Sequence, residues 1–130
     1  MKLCCRNLAS ETGPRQVTTQ DLATGVVAWY QQRFGRGPTR AKAYVNDDYV
    51  LVVLGEVQSR AERTLVEQGD ATSVVNLRRA IKEAHKEALC ELVAELTGRP
   101  VHIMLSDHNP YEDTSAMVFL FERETALGRP

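Results

Sequence analysis

The stretch FGRGPTRAKAYVNDDYVLVVL spans residues 34–54 and decides the fold. Gly35 is placed to end a preceding helix, because the residue after a helix end often needs a positive φ. Pro38 then prevents the helix from continuing. Asn46-Asp47-Asp48 supplies the chemistry of a tight turn. The stretch therefore predicts a helix, a glycine-proline loop and a hairpin whose strands are residues 41–46 and 49–54.

The second strand of this hairpin is apolar at nearly every position, and so are residues 117–121 further along. Strict alternation would predict one face in water, whereas a continuous apolar run predicts that both faces are covered. Either helices cover both faces of the sheet or a second copy of the chain does. We therefore predict a homodimer, formed through the sheet or through one flank of the longest helix.

Capping signals place three helices around these strands. Thr18 and Asp21 predict the start of the helix that leads to Gly35. Ser59-Arg60-Ala61-Glu62 has the form of a capping box and predicts a short helix. Asp70 or Thr72 then caps the longest helix, which runs to about Thr97. Its predicted main apolar stripe is Val74, Leu77, Ile81, Ala84, Ala88 and Leu92, and its flank is Val75, Leu89, Val93 and Leu96.

Two further strands, residues 101–106 and 115–123, are predicted on either side of a polar loop at residues 107–114. The order α-β-β-α-α-β-β predicts an α+β fold in two layers, with a mainly antiparallel four-stranded sheet. We expect a single domain over residues 17–124. Flexible tails are predicted at residues 1–16 and 125–130.

Composition excludes several classes of protein. The formal net charge of -1 over 130 residues gives no global field that would attract nucleic acid or anionic lipid. Cys4, Cys5 and Cys90 contain no CxxC pair, so neither a disulfide framework nor a zinc site is predicted. Free thiols fit a reducing cytoplasm. The longest apolar runs are strand-sized, far below the ~20 residues of a spanning helix. We expect a cytoplasmic protein with no metal, no cofactor and no inserted segment.

The loop Gly35-Arg36-Gly37-Pro38 combines backbone N–H groups with nearby basic side chains, which is the chemistry of an anion nest. The alternative is that these residues only end the helix and turn the chain. A helix precedes the glycines and a strand follows, the reverse of a dinucleotide or P-loop signature. The residues predicted to contact a ligand or partner are Arg36, Gly37, Pro38, Arg40, Asp47 and Asp107.

Catalytic and metal chemistry have weaker support. Ser106-Asp107-His108, with Glu112 and Asp113, places oxygen and imidazole groups in one loop, as a metal or acid–base site would. A solvated turn is the interpretation we favour, because the spacing matches no metal motif. Cys90 lies off the main apolar stripe and is predicted to be structural or incidental. No paired base and nucleophile is apparent, so the protein is not expected to be an enzyme.

The motifs FGRGPT at 34–39, AYVNDD at 43–48, AERTL at 61–65, ELVAELTGR at 91–99 and LSD at 105–107 carry a resemblance. Their order and spacing resemble the small bacterial family named for MpsC, over about residues 17–122. That name comes from a proposed sodium-linked system that generates a membrane potential. The resemblance implies a soluble partner of a membrane ion-transport or bicarbonate-supply system, and it carries over no catalytic residue. Gln58-Ser59-Arg60 departs from the family, whose members tend to have a Leu-Thr-Pro-like helix start.

Two function hypotheses from different classes follow. The first is a non-enzymatic accessory module that binds membrane transporter subunits. The second is an RNA- or ribosome-associated domain, because the order of elements is similar to that of bacterial KH domains and Tyr44 and Tyr49 lie near basic residues. The KH loop would correspond to Gly69-Asp70-Ala71-Thr72, which lacks the second glycine and carries an acid. Likeness of topology alone does not establish that function.

Overall fold

A computed structural model of the protein describes residues 18–122. The predicted α+β class and the order α-β-β-α-α-β-β are confirmed. The predicted tails, with Cys4 and Cys5, lie outside the described residues. The elements are α1 (Thr19–Phe34), β1 (Arg40–Val45), β2 (Tyr49–Gly55), α2 (Arg60–Glu67), α3 (Ala71–Thr97), β3 (Val101–Asn109) and β4 (Thr114–Phe121).

The helix ends follow from local chemistry. Thr18 caps α1 through a reciprocal capping box with Asp21, and Ser59 caps α2 in the same way with Glu62. Asp70 caps α3 by accepting a hydrogen bond from a backbone N–H of its first turn. Gly35 ends α1 in the left-handed conformation, at a φ of 78°. The capping signals in the sequence therefore place each helix start correctly.

The sheet runs in the order β1-β2-β4-β3, and every neighbouring pair is antiparallel. The two continuously apolar strands, β2 and β4, occupy its centre. Central strands pack on both faces and pair along both edges, so apolar residues on both sides suit them best. The more polar strands β1 and β3 form the edges.

The core lies between one face of this sheet, here called the inner face, and helices α1 and α3. Leu22, Val26 and Trp29 of α1 and Leu89 and Val93 of α3 supply the helical side. The buried inner-face residues of the sheet are Ala43, Val50, Val52, Leu54, Met104, Met117, Phe119 and Phe121. Alternation along each strand then points the remaining side chains to the opposite face.

Two details differ from the prediction. The polar loop is shorter than expected, because β3 continues to Asn109 by pairing across the hairpin with the start of β4. The apolar stripe predicted for α3 is wrong in part. Leu77 is 45% exposed, whereas the flank residues Leu89 and Val93 are buried. The reason is that α3 packs against both α2 and the edge strand β3, so no single straight stripe serves both partners.

We predict that Gly35→Ala lowers the free energy of unfolding by about 1 kcal/mol, because an L-residue with a Cβ disfavours positive φ. A Cβ at this position meets no other atom within 4 Å, so the cost is conformational and not steric. Urea denaturation measures it. Gly35→Asn is the matched control and should cost less, because Asn tolerates the left-handed region. Equal losses in the two variants would contradict this account.

Candidate functional site

The outer face of the sheet carries apolar side chains that no helix of the described residues covers. Three cross-strand rows form it, two that run from β1 through β2 and β4 to β3 and one that begins on β2. Leu105 at 55% exposed, Tyr44 at 44% and Ile103 at 40% are among the most exposed large apolar residues. We call this surface the open face. Its rows are Lys42-Val53-Ala116-Asp107, Tyr44-Leu51-Val118-Leu105 and Tyr49-Leu120-Ile103.

The two edges of the open face carry opposite charges. Arg40 and Lys42 point outward from β1, and Asp107 points outward from β3, by the alternation of each strand. The guanidinium of Arg40 lies across Gly55, where a Cβ would come within 2.5 Å of it. Gly55 thus lets this cation lie flat against the sheet. The open face has a basic edge, an apolar centre and an acidic edge.

A hydrogen-bonded network lies on the other side of the sheet, around Gln58. This residue is 1% exposed. Its carbonyl oxygen accepts hydrogen bonds from Arg36 Nη1 at 2.8 Å and Arg63 Nη1 at 2.9 Å. Its side-chain Nε2 lies 2.9 Å from His108 Nε2 and donates to the carbonyl oxygen of Pro110 at 3.0 Å. Gln58 therefore joins the loop after α1, the start of α2 and the β3–β4 hairpin.

An ion pair between Glu62 and Arg78 holds α2 against α3. Arg78 Nε lies 2.8 Å from Glu62 Oε2, and Arg78 Nη2 donates to Glu62 Oε1 at 2.8 Å and to the carbonyl of Val57 at 2.7 Å. Burial alone raises the pKa of the Glu62 carboxyl, but hydrogen bonds from Arg78 and Ser59 outweigh it and lower that pKa. Removing one partner of a buried pair typically costs about 3–5 kcal/mol.

The protonation of His108 follows from its neighbours. Gln58 Nε2 is a donor held in place by the Pro110 carbonyl, so His108 Nε2 must accept. The proton then sits on His108 Nδ1, which donates to Ser115 Oγ at 2.7 Å. Burial, and secondarily the charge of Arg78, lower the pKa of His108 and favour this neutral ring. The polarity is the reverse of that in a serine nucleophile, whose hydroxyl donates to its base.

A partly open cavity of about 60 Å³ lies beside this network, between α1, α3 and the inner face. Arg78, Arg79 and Lys82 line it from α3. The other polar residues of its wall are Tyr30, His85, Ser106, Asp107, His108 and Ser115. Sequence reasoning missed Gln58, Arg78 and Ser115, and the one available signal was the departure from the family pattern at Gln58.

The structure brings some of the predicted contact residues together. Arg36, Gly37 and Pro38 lie where α1 leads into β1. A Cβ on Gly37 would come within 2.9 Å of Gln31 Cγ and 3.1 Å of the Val27 carbonyl, so the glycine allows the loop to pack on α1. Pro38 is buried. These contacts explain why the loop that ends α1 and turns the chain contains Gly37 and Pro38. Binding of an anion by this loop stays a prediction.

The other predicted contact residues are spread over the sheet. Arg40 and Asp107 lie on opposite edges of the open face, near one end of the sheet. Asp47 lies in the β1–β2 turn at the other end. Its carbonyl accepts a hydrogen bond from Arg99 Nη1 at 2.6 Å, and the Arg99 guanidinium stacks over Phe121 at 4.0 Å. The six residues therefore do not form a single site.

Groups considered for metal binding or catalysis have structural partners. Asp113 Oδ1 accepts hydrogen bonds from the backbone N–H groups of Val57 and Gln58, both at 3.0 Å. Within residues 18–122, no three His, Cys, Asp or Glu side chains are arranged to hold a metal ion. Burial raises the pKa of the Cys90 thiol. A thiol with a raised pKa is less reactive, since the thiolate is the nucleophile.

The junction between α2 and α3 bears on the RNA hypothesis. Asp70 accepts hydrogen bonds from Ser73 N at 3.2 Å and Ser73 Oγ at 2.7 Å. Its carboxylate thus occupies the start of α3. In KH domains the corresponding loop clamps the nucleic-acid backbone. A carboxylate at that position repels phosphate, so this junction gives the RNA hypothesis no support.

Comparison with known proteins identifies a family. A family model described as "Na+-translocating membrane potential-generating system (MpsC)" matches residues 15–123, most of the chain. No curated protein and no solved structure matches the chain. In the described part of the chain, 18–122, none of the helices has both the length and the apolar character needed to cross a membrane.

We predict that the protein loses stability as the pH falls below about 6.5. The lowered pKa of His108 means that the native state binds fewer protons than the unfolded state, whose histidine keeps a pKa near 6.5. Stability is therefore fully present above that value and is lost as pH falls through the lowered pKa, at about 1.4 kcal/mol per pKa unit. Urea denaturation between pH 7.5 and 5 measures the slope.

The controls for this prediction are two substitutions on β3. His108→Gln removes the titrating group and should flatten the slope. His102→Gln replaces an exposed histidine of the same strand and reports the effect of deleting a histidine that lies outside the network. Parallel slopes in the wild type and His108→Gln would refute the assignment of the pH dependence to His108.

Proposed function

The chain belongs to the MpsC family, and from that premise we propose that it is a non-enzymatic accessory subunit of a membrane ion- or bicarbonate-transport system. In this proposal it is cytoplasmic, acts as a homodimer and reaches the membrane through a protein partner. The observation that carries the proposal is the uncovered open face. His108 is neutral, and its Nε2 already accepts a hydrogen bond from Gln58. Burial raises the pKa of the Cys90 thiol, which makes it less reactive. Both observations support a binding role over a catalytic one.

The open face is large enough to mark an interaction surface. Four strands spaced about 4.8 Å apart and seven residues long span roughly 400 Å². Contiguous apolar patches of about 300–600 Å² on monomers are often functional. Leu51, Val53, Val118 and Leu120 form its centre on β2 and β4. A partner that covers these side chains removes the second apolar face of β2 and β4 from water.

The charges at the edges favour a second copy of the chain as the cover. A two-fold axis that runs along the strands, in the plane between two stacked sheets, places β1 of one protomer over β3 of the other. It also makes each cross-strand row of one protomer face the same row of its partner. Lys42 then faces Asp107 of the partner, and the pair occurs twice by symmetry. A two-fold axis across the strands would instead place Lys42 and Asp107 over apolar rows.

The resulting dimer is a sandwich of two sheets in aligned packing, with helices on both outer sides. The apolar centre supplies the affinity. The ion pairs at the two edges determine the orientation of the protomers more than the affinity of the dimer, because exposed ion pairs are worth only about 0.2–1 kcal/mol each. This arrangement also assigns roles to the predicted contact residues Arg40 and Asp107, at opposite edges of the interface.

We predict a mass of twice the 14.5 kDa chain by sedimentation equilibrium at micromolar concentrations. Leu105→Glu should weaken the dimer at least about tenfold, because it buries a charge in the interface. Leu77→Glu is the matched control, since Leu77 is comparably exposed on α3 and lies off the open face. Lys42→Glu should weaken the dimer roughly tenfold, and Lys42→Glu with Asp107→Lys should restore it.

Two results would overturn this geometry. A wild-type chain that stays monomeric at tens of micromolar would leave the open face to another partner. Equal weakening by Leu105→Glu and Leu77→Glu would show that the loss does not arise on the open face.

The transport partner is tested by crosslinking in native cells. We expect the tagged chain to co-purify with an identified polytopic ion-transport protein, with and without nuclease treatment. Arg36→Ala should lower that recovery several-fold, because exposed arginines often anchor interfaces. Arg60→Ala, at another exposed arginine, is the control. Recovery of ribosomal proteins that nuclease removes would contradict the proposal and favour the RNA-binding alternative.

A further inference from the structure

The cavity between α1, α3 and the inner face contains hydrogen-bond donors that lack good acceptors. Among the described residues, the hydroxyl of Tyr30 has only the sulfur of Met117 as a partner, at 3.9 Å. Ser115 Oγ accepts from His108 Nδ1, which leaves its own hydrogen to donate. Ser106 makes no side-chain hydrogen bond within residues 18–122. Three hydroxyl groups thus line one cavity with protons to donate.

Positive charge surrounds the same cavity. Arg78 is balanced by Glu62, but Arg79 forms no ion pair of 4 Å or less within the described residues. Lys82 has only a loose contact with Glu83, at 3.9 Å between Lys82 Nζ and Glu83 Oε2. Two cations of α3 therefore lack a close partner beside the three hydroxyls.

The acid among the residues that line the cavity points to the other side of the sheet. Asp107 borders the cavity, but strand alternation directs its side chain to the open face, between the inward-facing Ser106 and His108. Its Oδ1 accepts a hydrogen bond from the backbone N–H of His108 at 2.9 Å. The carboxylate of Asp107 therefore does not supply the acceptor that the cavity hydroxyls lack.

We propose that this cavity binds a small oxyanion through Tyr30, Ser106, Ser115, Arg79 and Lys82. Donors and cations without acceptors are the complement of an anionic oxygen ligand. The cavity volume of about 60 Å³ is more than the ~10–15 Å³ needed to hold one water, so the cavity has room for a small anion. The ligand class is therefore a small carboxylate or oxyanion, such as acetate or inorganic phosphate. The site lies on the helix side of the sheet, so it goes beyond the proposed dimer and does not depend on it.

The test is titration of the ¹⁵N-labelled full chain with acetate and with inorganic phosphate at constant ionic strength, with chloride as the reference ion. We expect saturable shifts of the Ser106 and Ser115 amide signals with at least one of the two probes and none with chloride. Tyr30→Phe and Lys82→Ala should each weaken binding about tenfold or more, because each removes a donor to a charged group.

Two matched variants separate this site from general charge effects. Tyr111→Phe removes the same hydroxyl from an exposed tyrosine, and Lys86→Ala removes a lysine one turn along α3. Both should bind as the wild type does. Shifts that follow ionic strength with every salt, or that persist unchanged in both Tyr30→Phe and Lys82→Ala, would overturn the proposal. Because the readout is local, failure here would leave the dimer and transporter tests unaffected.

Discussion

The central strands β2 and β4 carry apolar side chains on both of their faces, and the helices described within residues 18–122 cover only one face. This constraint organises the molecule. Helices α1 and α3 bury the inner face, including Val50, Val52 and Phe119. The outer rows stay uncovered, with opposite charges at their two edges. In the dimer that we propose, a second copy related by a two-fold axis along the strands covers those rows and pairs those charges.

The other organising feature is the polar network on the inner side. Gln58 and Asp113 join the β3–β4 hairpin to the start of α2, and the Glu62–Arg78 pair joins α2 to α3. Gln58 also fixes the tautomer of His108. The open face and the cavity beside this network lie on opposite sides of one sheet. The proposed partner of the open face is a second copy of the chain, and the proposed ligand of the cavity is a small oxyanion.

Much of the fold was predictable because its signals are local. The caps at Thr18 and Ser59, the left-handed Gly35 and the turn at residues 46–48 act within a few residues of chain. The apolar runs of β2 and β4 predicted strands covered on both faces, and these two strands are the central ones of the sheet. The stripe of α3 was partly wrong, because a helix with two packing partners has no single apolar face. The network was missed because most of its contacts join residues 16 to 56 positions apart, which spacing along the chain does not encode.

The central claim is that two open faces pack with β1 over β3. It is tested most directly by crosslinking single-cysteine variants made in a background without Cys4, Cys5 and Cys90. Stacked sheets lie about 10 Å apart, and the edge strands of one sheet lie about 14 Å apart, so two Lys42 positions would be about 17 Å apart. A short bis-maleimide should link Lys42→Cys to Asp107→Cys when the two variants are mixed. It should not link either variant to itself. Efficient linking of Lys42→Cys to itself, or no linking in the mixture, would contradict the account.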